Sequence, residues 1–212
     1  MNSIRFNRRS PLRLVRALLP LVALFAGCSA LQPPQAENTN IYVLEAAPLG
    51  AGVSAKRDLV LAVGALRAAP GFDTPQMVYV RQPYELNYFV ANRWADAPAR
   101  MLEPVLVRAL EQAGSFRAVV ANPGPVPADL RLDTELVRLQ QDFATRPSRI
   151  QLTLRAQLVD VRARRVLATR LFDASEVAAS DDAYGGVTAA NRALQRVLEQ
   201  LADFCVNASG GR

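Results

Sequence analysis

Apolar and polar side chains alternate strictly from Ile150 to Leu158, and this stretch constrains the fold more than any other part of the sequence. Every even position is apolar, and Gln, Thr or Arg occupies each odd position between them. Successive side chains of a strand point to opposite faces of a sheet, so the pattern predicts a strand with one buried and one wet face. Leu130–Leu136 repeats the alternation, and Val166–Phe172 follows after a turn. These three segments predict an antiparallel meander.

Short apolar runs predict further strands earlier in the chain. A turn rich in Pro and Gly, Ala69–Pro75, separates two of them. The predicted strands are Ile41–Leu44, Leu59–Val63, Met77–Val80, Tyr84–Val90 and Phe116–Ala121.

Two longer segments, Ala97–Ala113 and Asp182–Val206, carry apolar residues at helical spacing. Pro98 stands near the start of the first and Gly114 just past its end, which are the usual marks of helix termini. The chain is therefore predicted to form one α+β domain, with a mostly antiparallel sheet and two amphipathic helices packed on it.

The first 27 residues have the pattern of a secretory signal. Five arginines and no acidic residue precede an apolar run, Ala17–Ala26, that is too short to span a bilayer, which takes roughly 20 residues. A basic region, a short apolar region and small residues at the exit indicate export from the cytoplasm.

Cys28 ends this signal. Leu24–Cys28 resembles the lipobox of bacterial lipoproteins, in which the cysteine is diacylated and becomes the new N-terminus. The alternative is ordinary cleavage after Ala30, which would discard Cys28. With Ser29 rather than aspartate after the cysteine, the sequence predicts anchoring in the outer membrane with the domain facing the periplasm.

The expected organisation has four parts. A lipoprotein signal peptide covers residues 1–27, a lipidated N-terminus and flexible tether 28–40, the folded domain 41–206, and a flexible tail 207–212. The tether lacks apolar periodicity and contains Pro33 and Pro34. Its twelve residues after the cysteine reach at most about 40 Å when extended.

Charge argues against nucleic acid as a partner. The chain has 25 basic and 19 acidic residues, for a formal charge of +6. Removal of residues 1–27 leaves 20 basic and 19 acidic residues, so the excess belongs mainly to the signal peptide. A nucleic-acid-binding domain needs a persistent basic surface.

Residues for catalysis are scarce, since the chain has no histidine. This excludes Ser-His-Asp triads and histidine-ligated zinc. The carboxylate pairs Asp133/Glu135 and Asp181/Asp182 are interpreted as the polar side of a strand and the start of a helix, and Cys205 as a core residue. No catalytic, cofactor-binding or metal-binding residue is predicted.

Aromatic residues concentrate in one segment. Phe72, Tyr79, Tyr84, Tyr88, Phe89 and Trp94 make up half of the twelve aromatic residues that follow Cys28. Packing in the core and contact with a partner are both open for them, because Tyr and Trp tolerate water at their polar tips. Tyr84, Tyr88 and Trp94 are the candidate partner-binding residues, beside an edge strand that would offer unpaired backbone groups.

The same segment carries a family resemblance. Pro70–Tyr79, Tyr84–Tyr88 and Arg93–Pro98, placed before an amphipathic helix, resemble the ABC-type transport auxiliary lipoprotein family, and the similarity extends over Ile41–Phe204. It implies a non-enzymatic lipoprotein that accompanies an Mce-type lipid transport system and docks its periplasmic Mce protein. The protein could also associate with copies of itself as a homo-oligomer, and the resemblance does not decide this.

A second function fits a tethered α+β domain of this size. It is a lipoprotein adaptor that regulates a cell-wall synthase or helps to assemble an outer-membrane complex. Neighbouring genes for an Mce-domain protein, a permease and an ATPase would favour the first function.

Overall fold

The computed structural model describes residues 38–50, 56–122, 124 and 126–211. Nearly all of them belong to one compact unit, Thr39–Arg212. The predicted signal peptide, Cys28 and most of the predicted tether lie outside the described residues.

Five strands, a helix and a sixth strand form the first half of the described chain, and a three-stranded meander and a long helix form the second half. The strands are β1 (Asn40–Tyr42), β2 (Arg57–Gly64), β3 (Arg67–Ala68), β4 (Gln76–Val80), β5 (Asn87–Trp94), β6 (Phe116–Asn122), β7 (Leu130–Asp142), β8 (Arg149–Asp160) and β9 (Arg165–Val177). The helices are α1 (Pro98–Ala113) and α2 (Ala183–Ala208), followed by a 3₁₀ turn at Ser209–Gly211.

Strand β7 organises the sheet. Along one of its edges it pairs in parallel with three strands in succession: β2 at its start, β3 at its middle and β4 at its end. Its other edge pairs antiparallel with β8, which pairs antiparallel with β9. Strand β6 extends the sheet beyond β2, and β5 and β1 extend it beyond β4.

The predicted meander is confirmed and is longer than predicted. Strands β7 and β9 have 13 residues each and β8 has 12. One face of the meander is buried by apolar side chains, including Leu136, Leu154 and Leu158. The other face is polar, and its charged groups pair with each other, as in the ion pair of 3.8 Å between Arg155 and Glu135.

Helix α1 begins and ends where Pro and Gly predict. Pro98 occupies its first turn, where a missing N–H costs nothing. Gly114 adopts a left-handed φ of 67° and donates its N–H to the carbonyl of Glu111, which ends the helix.

Helix α2 begins at a side-chain cap. The Asp182 carboxylate accepts a hydrogen bond of 2.7 Å from the Gly185 N–H, and this satisfies one of the free donors of the first turn. Its apolar stripe packs on β8 and β9, and it continues to Ala208, two residues beyond the predicted end. The residues after it form the 3₁₀ turn, in which Ser209 is buried.

One core lies between the helices and the sheet. It includes leucines from β7 and β8, alanines and leucines from α2, and the α1 residues Leu102 and Leu106. The domain is α+β as predicted, since antiparallel pairing in β7–β9 dominates the sheet and both helices contribute to one core.

Two features of the first half differ from the prediction. Strand β3 was not predicted, and its two residues pair with β7 at Glu135 and Leu136. Strand β5 begins at Asn87 instead of Tyr84 and extends to Trp94. Tyr84 adopts a φ of 68°, a left-handed conformation that a strand does not accommodate.

Candidate docking surface

The hairpin formed by β4 and β5 carries all three predicted partner-binding residues: Tyr84 in its connection, and Tyr88 and Trp94 on β5. Residues 81–86 connect the strands, and Tyr84 lies at the tip with its side chain fully exposed. A non-glycine residue in the left-handed region is uncommon and costs free energy, more so for a bulky side chain. The tip therefore holds a large aromatic side chain in solvent at a conformational cost.

Exposed apolar side chains continue from this tip along β5. Leu86, in the connection, is 40% exposed, and Val90, on β5, is 87% exposed. A cavity of about 360 Å³ lies beside the tip and is lined by Tyr84 and Leu86 and by Gln140 of β7, among others. Tyr84, Leu86 and Val90 are called the hairpin patch below.

The outer edge of β5 is covered only in part. Strand β1 pairs with Asn92, Arg93 and Trp94 of β5 and with no earlier residue. Among the described residues, 87–91 thus present an outer backbone edge with no paired strand. An edge of this kind accepts an added strand from a partner.

An aromatic cluster supports the hairpin from its base. The ring of Tyr79 lies 4.8 Å from that of Phe89 and 5.8 Å from that of Phe143, measured between centroids. The Arg81 guanidinium lies 5.3 Å from the centroid of the Tyr79 ring. Such contacts stabilise the two strands against each other. They hold the tip in place without burying it.

Tyr88 is half-buried and lies between the core and the surface. It pairs with Val78 across the hairpin, and its hydroxyl donates a weak hydrogen bond of 3.4 Å to the Gly71 carbonyl. Part of its ring remains accessible to a partner.

Trp94 differs from the prediction, because its side chain is only 3% exposed and belongs to the core. It ends β5 just before α1, and its N–H donates to the Pro75 carbonyl at 2.8 Å. In a regular strand Trp94 would lie on the same face as Val90, four residues earlier, which is exposed, so the two-residue period does not predict that Trp94 is buried. Gln76 pairs with Arg93 and Val78 with Tyr88, so an irregularity in the pairing breaks the two-residue period between Tyr88 and Trp94.

Val90 and Leu86 were missed by the sequence analysis. Val90 lies between Phe89 and Ala91, which favours burial, whereas Leu86 lies between the polar residues Glu85 and Asn87. Leu86 belongs to the connection between the strands, and no described element covers the side chain of Val90 on β5.

The carboxylate pairs have structural roles. The Asp182 pKa lies below its usual range because the carboxylate accepts hydrogen bonds from Gly185 and Ser180. The pKa of Asp181 is lowered because its carboxylate accepts a hydrogen bond of 2.6 Å from the Ser148 N–H. Asp133 pairs with Arg131 at 2.9 Å.

Cys205 is a buried free thiol, as predicted. Burial raises its pKa to about 12, so the thiolate that a nucleophile or metal ligand needs does not form near neutral pH. Within the part of the chain that the structure describes, no three His, Cys, Asp or Glu side chains group as metal ligands. None of the described helices combines the length and hydropathy needed to cross a membrane.

Solved structures share the fold. A Xanthomonas campestris protein of the domain family DUF330 is 25% identical, with a TM-score of 0.74 over 80% of this chain and 96% of that one. A hypothetical protein from Chlamydia trachomatis is 13% identical, with a TM-score of 0.52 over 74% of this chain and all of that one. No curated protein sequence matches the chain.

The family model of the ABC-type transport auxiliary lipoprotein component matches residues 42–202. This range includes every strand and helix from β2 to most of α2, the hairpin patch among them. The chain therefore belongs to the ABC-type transport auxiliary lipoprotein family.

Proposed function

We propose that this protein is a non-enzymatic docking subunit of an Mce-type ABC lipid transport system. In this proposal Cys28 carries the lipid anchor in the outer membrane, and the domain faces the periplasm and binds the Mce-domain protein. Membership of an auxiliary lipoprotein family supports the transport role. The absence of histidine and the high pKa of the Cys205 thiol support a role without catalysis.

The hairpin patch is the observation that favours docking. It combines an exposed tyrosine at the tip, two exposed apolar side chains and the adjacent unpaired edge of β5. Tyrosine is enriched at binding hot spots, because a large ring with a polar tip tolerates both solvent and an interface. An added strand would bond to the backbone of 87–91, and Tyr84 and Tyr88 would supply contacts beside it.

The anchor is proposed from sequence alone. Cys28 follows Leu24–Gly27, and acylation on its sulfur and its amine would provide the two or more chains that stable membrane attachment requires. Labelling with a palmitate analogue tests this step. The wild type should be labelled and Cys28→Ala should not, and equal labelling of both would contradict the anchor.

Co-purification with the Mce-domain protein tests docking. The double variant Tyr84→Ala/Val90→Ser should bind at least tenfold more weakly, because both side chains lose contact area that only a partner covers. Leu171→Ala is the matched control. Leu171 is 55% exposed on β9, at the other side of the sheet.

Thermal unfolding of the same variants separates docking from folding. All of them should melt within a few degrees of the wild type, since the changed side chains lie in solvent. Unchanged co-purification by the double variant would reject the hairpin patch as the docking site. Capture of a cell-wall synthase in place of the Mce protein would favour the adaptor function.

A further inference from the structure

A second surface lies at the end of the sheet where β2, β6 and β7 begin and β8 turns into β9. Six basic residues gather there: Lys56, Arg57, Arg117, Arg162, Arg164 and Arg165. Three of them, Arg57, Arg117 and Arg162, line one open cavity of about 640 Å³. This group of six is called the basic end below.

The carboxylates at this end are used within the protein. Asp58 pairs with Arg117 at 2.9 Å. Asp129 is buried, accepts a hydrogen bond of 3.0 Å from the Val60 N–H and pairs with Arg162 at 3.1 Å. Asp160 is also buried, and it accepts a hydrogen bond from the N–H of Ala163.

The other four cations at this end are Lys56, Arg57, Arg164 and Arg165. Among the described residues, no carboxylate lies within ion-pair distance of Lys56, Arg57, Arg164 or Arg165. The Nε atom of Arg57 is buried without a hydrogen-bond partner. Among the described residues, the six cations of the basic end meet three carboxylates, Asp58, Asp129 and Asp160, and so carry a net positive charge.

Apolar side chains are exposed among these cations. Val161 is 39% exposed and Val166 is 50% exposed, on either side of Arg164 and Arg165. The turn that carries them is fixed from below, since the Val161 N–H donates to the Asp129 carbonyl at 3.0 Å and Ala163 donates to Asp160. At the surface of a bilayer, arginines can contact the phosphate groups and valines can contact the acyl chains beneath them. A rigid turn that carries both residue types is suited to such a surface.

The basic end is remote from the point where the described chain enters the domain. Strand β1 begins near the level of Gln140 on β7, as judged through the pairings of β5 and β4. Gln140 and Asp129 are separated along β7 by roughly 35 Å, at about 3.3 Å for each strand residue. Attachment at the N-terminus therefore leaves the basic end accessible to a second surface.

We propose that the basic end binds the surface of a bilayer rich in anionic phospholipid. Arginines contact lipid phosphates, and Val161 and Val166 enter the interface between headgroups and acyl chains. The arginines alone would suffice to bind an acidic protein segment. The two exposed valines favour a bilayer, because apolar side chains can enter its interface. This proposal is independent of docking at the hairpin patch, which lies at the other end of β7.

Vesicle capture tests this proposal with the full protein. Protein purified from membranes is reconstituted by its N-terminal attachment into phosphatidylcholine vesicles, which are then mixed with labelled target vesicles. Targets that contain phosphatidylglycerol should be captured, and targets of phosphatidylcholine alone should not. Capture should weaken with added salt, because the Debye length falls from about 10 Å at 0.1 M to about 3 Å at 1 M.

Two matched variants assign the binding to the basic end. Arg164→Ser/Arg165→Ser should lower the affinity for anionic vesicles by roughly fivefold for each arginine removed. Arg67→Ser/Arg93→Ser makes the same change of charge at two exposed arginines elsewhere and should leave capture unchanged. Val161→Ser/Val166→Ser should weaken capture at constant charge. Melting temperatures of all variants check that each one folds.

Four results would overturn the proposal. The first is equal capture of neutral and anionic vesicles, and the second is an equal loss in the two arginine variants. The third is inhibition by glycerol phosphate beyond that of sodium chloride at the same ionic strength, which would indicate a site for a single soluble phosphate. The fourth is capture of polyglutamate without capture of vesicles, which would assign the surface to an acidic protein.

Discussion

The meander packed against α2 and the hairpin of β4 and β5 both consist of antiparallel strands with apolar side chains, but the meander buries these side chains and the hairpin exposes several of them. Strands β7 and β8 pair over twelve positions and bury a continuous row of leucines. The hairpin pairs over three registered positions with an irregularity, and it exposes Tyr84 and Val90. The leucines of the meander therefore contribute to the stability of the core, whereas the exposed apolar side chains of the hairpin contribute little to it.

The comparison predicts the largest effect for a leucine of the meander. Leu158 is fully buried on β8, so Leu158→Ala removes buried methyl groups and leaves a cavity. The free energy of unfolding should fall by about 3–4 kcal/mol. Urea denaturation measures this loss, and Val90→Ala on the hairpin should change it by less than about 0.5 kcal/mol. Similar losses at the two positions would invalidate the comparison.

A smaller loss is expected where α2 begins beside β7. A Cβ atom at Gly186 would overlap the side-chain oxygen of Gln141, which is buried. Gly186→Ala should therefore lower the free energy of unfolding by about 1–3 kcal/mol. Gly50→Ala is the matched control, since a Cβ there meets no atom within 4 Å. Equal denaturation midpoints for the two variants would show that Gln141 moves aside freely.

The cap of α2 should contribute less and depend on pH. Asp182→Ala removes the acceptor for the Gly185 N–H and should cost about 1 kcal/mol near neutral pH. The pKa of Asp182 is lower in the folded state, so its contribution is present above the unfolded pKa of about 4. It is lost as the pH falls through the folded pKa. Stability curves of wild type and variant should converge in acid, and a gap that widens below pH 4 would contradict the assignment.

The smallest change in stability is expected at the hairpin tip. Glycine adopts a positive φ without the cost that Tyr84 bears, and it also gains freedom in the unfolded chain. These effects oppose each other, so Tyr84→Gly should change the free energy of unfolding by less than about 1 kcal/mol. Denaturation and co-purification of the same variant sharpen the comparison. A large loss of stability would place Tyr84 among the structural residues.

The two regions also differ in how well the sequence predicts them. Alternation from Ile150 to Leu158 predicts β8 and its buried face, because a regular ladder preserves the two-residue period over its whole length. Pro98 and Gly114 predict α1 almost to the residue, because helix termini depend on local backbone chemistry. Strand β8 and helix α1 are predictable because each is determined by interactions within its own residues or with residues next to it in the sequence.

The hairpin region is predicted only in part. Tyr84 is exposed, as a partner-binding residue must be, but Trp94 is not, because the irregular pairing of β4 and β5 shifts its side chain into the core. Exposure of Val90 depends on which elements cover that face of β5 in the folded domain. Such features depend on tertiary contacts that no short pattern contains.

The shared edge of β7 has a consequence for the order of folding. Its pairings with β2, β3 and β4 join residues that are 62 to 69 positions apart in the sequence. Closing such loops costs conformational entropy before any contact compensates for it, and a high contact order slows folding. The strands on both sides of β7 pair with it. A chain synthesised from its N-terminus therefore cannot complete the sheet until β7, which ends at Asp142, is available. Until then the unpaired edges of β2 and β4 are open to aggregation, so the interval before β7 is complete is the stage at which a chaperone would matter most.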